Sequence, residues 1–315
     1  MSNKTFSKRL LSSIKNALPN AMRTAWWVVK LTVCVSLVIT ILDYIGVVKW
    51  FSQLVTPIFT HIGLTGEAAL AYVTGYFVNV YSAIAAVTTL DLSFRAITII
   101  GVMCLCSHNI IIETAVQKKT GSSAIRMGIL RTLAAFAAAF ILNLVLPEAT
   151  EKTTSVEHIA TNNNIIEVLI LWGKKTLILV LRMVTLIVLL TILQRILNEF
   201  GVMKILSKIF SPLLYIFGLP TKASFLWIIA NTLGLAYGAA VMIEEIEQGR
   251  ISKIESDLLN HHIAISHSNL EDLLLFVAIG ASFWWLLIVR LFLAFIAVWI
   301  RRLELFFKHQ YKLIG

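Results

Sequence analysis

Two short stretches hold side chains that could do chemistry. One is CLCSHNIIIETAVQKKTG at 104–121, with Ser107, His108, Asn109 and Glu113. The other is AISHSNLEDLLLFVAIG at 264–280, with Ser266, His267, Asn269, Glu271 and Asp272. Imidazole and carboxylate groups beside hydroxyls and amides can carry a proton, hydrogen-bond a polar solute or ligate a metal. Both stretches are otherwise apolar. An acid at the centre of a membrane helix costs about 2.5–3.5 kcal/mol on insertion scales. Such groups persist where they face a cavity, pair with one another or bind something. On a continuous helix Asn109 and Glu113, four apart, share a face, as do His267 and Glu271. His108 and Glu113 are five apart and share a face only if the helix breaks. Ser, His and Asn suit a break, because their side chains can satisfy the freed backbone groups. These residues therefore either cap broken helices and bond one another, or form a polar site.

The elements that position them belong in a bilayer. Of 315 residues, 58% are hydrophobic and 14% are charged, and the mean hydropathy is +0.84. A soluble domain is about 45–50% apolar and about 25% charged. The runs Trp26 to Val48, Ala124 to Leu146, Thr176 to Leu193 and Leu273 to Ile300 are each long enough to span, which takes about 20 residues. The lead with Lys4, Lys8, Arg9, Lys15 and Arg23 precedes an apolar run too long for a signal-peptide core, so it is expected to be retained. The net charge of +10 reads as cationic loops that set orientation, and no nucleic-acid module is visible. Cys34, Cys104 and Cys106 lie in apolar segments without a CxxC pair, against a disulfide framework.

The chain repeats itself. SQLVTPIFTHIGLT at Ser52 matches SKIFSPLLYIFGLP at Ser207, aligning Pro57 with Pro212 and Gly63 with Gly218. NVYSAIAAV at Asn79 resembles GLAYGAAVMI at Gly234. Ser107-His108 lies 159 residues before Ser266-His267, and the same offset pairs Arg131 with Arg290. Loops that are basic in one copy are poor in charge in the other, as insertion in opposite orientations requires. The expected fold is an all-α integral membrane protein of two inverted repeats with interrupted helices and about eight to ten membrane helical segments. Residues 1–147 form the first repeat, 148–164 a polar linker and 165–315 the second repeat. The basic ends place both termini in the cytoplasm, with the Pro147 to Asn164 stretch on the other side.

Asn79, Tyr81, Asn231 and Tyr237 are second-tier candidates, on Gly/Ala-rich helices that allow close approach. Arg131 and Arg290 could each pair with the acid of the nearby motif or snorkel. His261, His262 and His267 with Glu255 and Asp257 are of metal-ligating types, but ESDLLNHH reads as a polar loop, and no spacing specifies a metal site. No catalytic HExxH or GxSxG motif occurs, so no enzyme, metal or cofactor is expected.

The Pro/Gly block, the Gly/Ala-rich helix, and SHNIIIE and SHSNLED resemble the Gate, or nucleoside-recognition, family, over roughly 50 to 140 and 205 to 300. That resemblance implies a polytopic permease with inverted Gate repeats. Its relatives include nucleoside transporters, spore-maturation proteins and the membrane part of ferrous-iron permeases. This chain has no GxxxxGK[ST] and so lacks the GTPase part of the last group. The function expected is a cell-membrane permease of a small polar solute, provisionally a nucleoside, held between the repeats by the Ser-His segments. The alternatives are a divalent-metal permease and a non-transporting scaffold of the spore-maturation type. The expected partners are the lipid bilayer and the solute, not nucleic acid, and oligomerisation is compatible with this reading.

Overall fold

A computed structural model describes residues 6–90, 92–147 and 164–314. The expected linker lies outside the described residues apart from Asn164. Every regular element among them is helical. The first half runs α1 (Phe6–Tyr44), α2 (Val47–Phe59), α3 (Gly66–Phe77), α4 (Val80–Thr89), α5 (Phe94–Ser107), α6 (Ile110–Lys119) and α7 (Ala124–Val145). The second runs α8 (Ile165–Glu199), α9 (Val202–Ile216), α10 (Ser224–Leu233), α11 (Leu235–Glu247), α12 (Lys253–Ser266), α13 (Asp272–Ala278) and α14 (Phe283–Ile314). The order is the same in both: a long helix, a short Pro-containing helix, two broken pairs and a closing helix.

Among the described residues, five stretches could cross a membrane by length and composition: Phe6–Tyr44, Phe94–Lys119, Ala124–Val145, Ile165–Glu199 and Phe283–Phe307. A sixth is the pair Val47–Ile62 and Gly66–Phe77, bent by 90°. The long helices α1 and α8 pack along each other, with Trp172 Nε1 donating to Ser36 Oγ at 3.1 Å. Their outer faces keep Trp26, Val38, Ile178 and Leu189 exposed, as lipid-facing helices do. The Phe94–Lys119 span is by contrast mostly buried within the protein. It is the span that carries the first Ser-His pair.

Three features differ from the sequence expectation. Leu273 to Ile300 is not one helix. α13 stops at Ala278, the chain turns through Gly280 at φ 111°, and α14 starts at Phe283. A Cβ on Gly280 would sit 2.5 Å from the Phe94 ring, so the turn can seat only a glycine there. The Gly/Ala-rich helices are also broken, at Asn79 and at Gly234. Lastly, ESDLLNHH is not a loop. Ser252 and Glu255 form a capping box that starts α12, which satisfies the first free N–H groups. From Ser256 to Ser266 every residue of α12 is buried.

Candidate functional site

Each Ser-His pair ends a helix, and the two ends are built alike. α5 stops because His108 turns to extended backbone and Asn109 enters the left-handed region at φ 48°, where Asn is better tolerated than most residues. The Asn109 N–H, freed from the helix, donates to Gly75 O at 3.0 Å. That approach needs a bare backbone, since a Cβ on Gly75 would lie 2.8 Å from Ala83 Cβ and 2.9 Å from Cys104 Sγ. Ser107 Oγ donates to Met103 O at 2.9 Å and meets the Tyr72 hydroxyl at 3.0 Å. His108 Nδ1 is 2.9 Å from Cys104 O. Arg131, fully buried, donates from Nε to Cys106 O at 3.0 Å and from Nη2 to His108 O at 2.7 Å.

The second copy repeats these bonds. α12 stops at Ser266, and Ser268 takes the left-handed conformation at φ 57°. Its N–H donates to Ala230 O at 3.0 Å, and Leu270 N–H donates to Asn231 O at 3.1 Å. His267 Nδ1 is 2.7 Å from Ile263 O. Ser266 Oγ donates to His262 O at 3.0 Å. The fully buried Arg290 donates from Nε to Ile265 O at 2.8 Å and from Nη2 to His267 O. In both copies one guanidinium therefore ties off the carbonyls that the break leaves without helix partners.

The two breaks meet. The His108 and His267 rings lie 5.2 Å apart, centre to centre. Glu113 lies between them, with Oε1 3.0 Å from His108 Nε2 and Oε2 3.3 Å from His267 Nε2. Arg131 Nη2 is 2.5 Å from Glu113 Oε2. Asp272 Oδ2 approaches His108 Nε2 at 3.6 Å. The five-residue spacing of His108 and Glu113 thus closes on itself because the helix breaks between them.

Glu271, four residues after His267, goes elsewhere: it accepts from the Tyr81 hydroxyl at 2.8 Å and lies 3.5 Å from Gln194 Nε2. Asn269 bridges Arg290 Nη1 (2.8 Å) and Asn231 Oδ1 (2.7 Å). Asn269 and Asn231 are thus linked to the cluster through Arg290, which also bonds His267 O, whereas Tyr81 pairs with Glu271, the chain neighbour of Asp272. Asn109 shapes the break through its backbone. Asn79 caps α4, accepting from Ser82 N–H at 3.0 Å, and Tyr237 is half exposed on α11; neither is hydrogen-bonded to the cluster among the described residues.

Several partners carry little sequence signal. Tyr72 and Gln194 reach in from α3 and α8 with no motif around them. Arg131 and Arg290 do have one, since they recur at the offset of the Ser-His pair. Arg131 pairs with the acid, whereas the Arg290 head bonds Asn269 and backbone carbonyls. Two surface clefts, of about 500 and 230 Å³, lie elsewhere, lined by Lys222, Glu255 and Arg302 and by Arg126, Asp257 and Arg301 respectively. Chemically, the cluster offers two imidazole nitrogens and two carboxylates in a buried setting, braced by two guanidinium groups.

Residues 25–147, which include the first break and its arginine, match the Gate family, described as nucleoside recognition. The chain is similar to the uncharacterized membrane protein YvoD of Bacillus subtilis (strain 168), at 32% identity over 280 residues, 87% of this chain and 88% of that protein. With an all-helical fold, five candidate spans and these matches, the chain is a membrane protein that belongs to the Gate, or nucleoside-recognition, family.

Proposed function

We propose that the chain is a permease that binds a small polar solute between its two halves, at the cluster of His108, Glu113, His267 and Asp272. The observation that carries this reading is that two broken helices, one from each half, converge on buried ionisable groups. Broken helices meeting at a repeat interface are where secondary transporters hold substrate, and intramembrane ionisable groups mark substrate or ion pathways. The family description, nucleoside recognition, makes a nucleoside the first solute to test. Imidazole, carboxylate and amide groups match the hydroxyl and amide edges of such a molecule. The chain is read as a carrier and not an enzyme.

The two halves are read as inverted, with both termini in the cytoplasm and the 147–164 stretch outside, on the charge pattern of the loops. A cysteine placed at Ser155 should then be labelled from outside intact cells. Labelling only after lysis overturns the orientation. The solute is tested by thermal shift of the purified protein, with chelator present, against nucleosides and nucleobases. A ligand of the folded state at 100 times its Kd stabilises it by about 2.7 kcal/mol. His108→Ala and His267→Ala should each abolish that shift while the protein still purifies. A shift unchanged in both variants assigns the cluster a purely structural role.

A further inference from the structure

The hydrogen bonds of the two histidines fix what their free nitrogens can be. His108 Nδ1 faces Cys104 O and His267 Nδ1 faces Ile263 O. A carbonyl oxygen only accepts, so each Nδ1 carries the proton and donates. In a neutral imidazole each Nε2 is then a lone pair, and both lone pairs face the Glu113 carboxylate, itself only an acceptor, at 3.0 and 3.3 Å. His267, 1% exposed, has no hydrogen-bond partner at Nε2, and the positive group beside Glu113 Oε2 is Arg131 Nη2 at 2.5 Å, on the carboxylate and not on either imidazole Nε2. Acceptors that converge in a buried place require a positive species among them.

We propose that His108, His267 and Glu113 bind one divalent transition-metal ion of the Zn²⁺, Co²⁺ or Fe²⁺ class, with Asp272 as an adjoining carboxylate. Their donor atoms all lie within 4.8 Å of one another. Metal–nitrogen and metal–oxygen bonds of about 2.0–2.1 Å put tetrahedral ligands about 3.3 Å apart; each imidazole Nε2 is at about that distance from one oxygen of the carboxylate, His108 at 3.0 Å from Oε1 and His267 at 3.3 Å from Oε2. Two imidazoles with a carboxylate suit these metals; Mg²⁺ and Ca²⁺ prefer oxygen alone.

The surroundings agree with this assignment. The Nδ1 bonds to carbonyl oxygens fix tautomer and ring orientation, as the outer partners of metal-bound histidines do. Arg131 holds the Oε2 side of Glu113 and leaves Oε1 toward His108. The two arginines and the carboxylates of Glu113, Glu271 and Asp272 sum to one net negative charge with neutral imidazoles, so the cluster accepts added positive charge. Of the metal-ligating types noted in the sequence around 255–267, only His267 belongs to this set.

The proposal rests on reading this cluster as the binding site, yet it can be tested without any solute. The full chain, purified in detergent, freed of its affinity tag and stripped by chelator, is titrated with Co²⁺ alone. One equivalent should bind and give the visible bands of a low-coordinate nitrogen/oxygen site, and X-ray absorption should count two imidazoles around the metal. His108→Ala and His267→Ala should each weaken binding about 100-fold or more, since even outer partners contribute about 10–100-fold. His261→Ala should leave binding unchanged. A wild-type protein that binds no Co²⁺, so that the cluster holds protons only, overturns the site. Fewer than two imidazoles on the wild-type metal overturns it too, without recourse to any variant. Co²⁺ binding with no nucleoside or nucleobase shift keeps the metal site and removes the permease reading for those solutes. A nucleoside shift under chelator with no Co²⁺ site does the reverse.

Discussion

The two Ser-His breaks share one backbone frame and differ in where they put their charge. In each, a serine ends the helix, a buried histidine takes extended backbone, a left-handed residue follows, and an arginine 23 residues after the histidine collects the open carbonyls. The first break is short: α6 resumes at Ile110, and Glu113 curls back to both histidines and Arg131. The second is longer, with α13 resuming only at Asp272 and two backbone N–H groups anchored on α10. Its arginine bonds an amide, Asn269, and its acids split between His108 and Tyr81. The same frame thus holds the ionic centre in one copy and a supporting amide network in the other. The two breaks share a geometry, and the few residues after each decide the chemistry.

If the ionic centre belongs to the first copy, Glu113 and Asp272 should not be equivalent. Glu113→Gln leaves Arg131 without its buried carboxylate and should destabilise by about 3–5 kcal/mol, the usual cost of breaking a buried pair. Asp272→Asn, at a longer contact, should cost about 1–3 kcal/mol. Chemical denaturation in detergent measures both, and equal losses would erase the asymmetry. Tyr81→Phe removes the hydroxyl that Glu271 accepts from and should also cost about 1–3 kcal/mol, a loss confined to the second copy's network.

How much of this was legible follows from what each residue had to signal. The Ser-His breaks were readable because five-residue spacing makes sense only off a straight helix, and because the pair recurs with its arginine. The breaks at Asn79 and Gly234 were less so, since Gly/Ala-rich runs form continuous helices equally well and the carbonyls of Gly75 and Ala230 carry no side-chain mark. The start of α12 reads as a loop in the sequence because polar residues dominate ESDLLNHH. The polarity is spent inward, where Asn260 donates to Thr120 Oγ1 at 2.9 Å and Asp257 accepts from Ser122 at 2.6 Å and Arg301 at 2.7 Å. Gln194 could not be found from sequence at all, because only packing of α8 brings it to Glu271.

The left-handed residues offer a smaller test of the shared frame. Asn109→Val and Ser268→Val should each cost about 1–2 kcal/mol, the penalty of that backbone region, whereas Asn109→Gly should be near neutral in thermal unfolding. The smallest effect belongs to the exposed fork between Arg250 and Glu245, two bonds of 2.6 Å. The bond to Arg250 holds the Glu245 carboxyl below its ordinary value. Its contribution is therefore complete above the unfolded-state value and disappears as pH falls through the lower folded one. Exposed pairs contribute little, so Arg250→Gln should lower neutral-pH stability only slightly, and that small difference from the wild type should vanish as pH falls into the acid range.

The claim that the two copies build one site is tested most directly by a double-mutant cycle between Glu113→Gln and His267→Ala, read as unfolding free energy. The residues lie 154 positions apart in the chain and meet only if the two breaks face each other at 3.3 Å. Contact predicts a coupling of about 1–3 kcal/mol between the two substitutions. Effects that add to within about 0.5 kcal/mol would contradict a shared site.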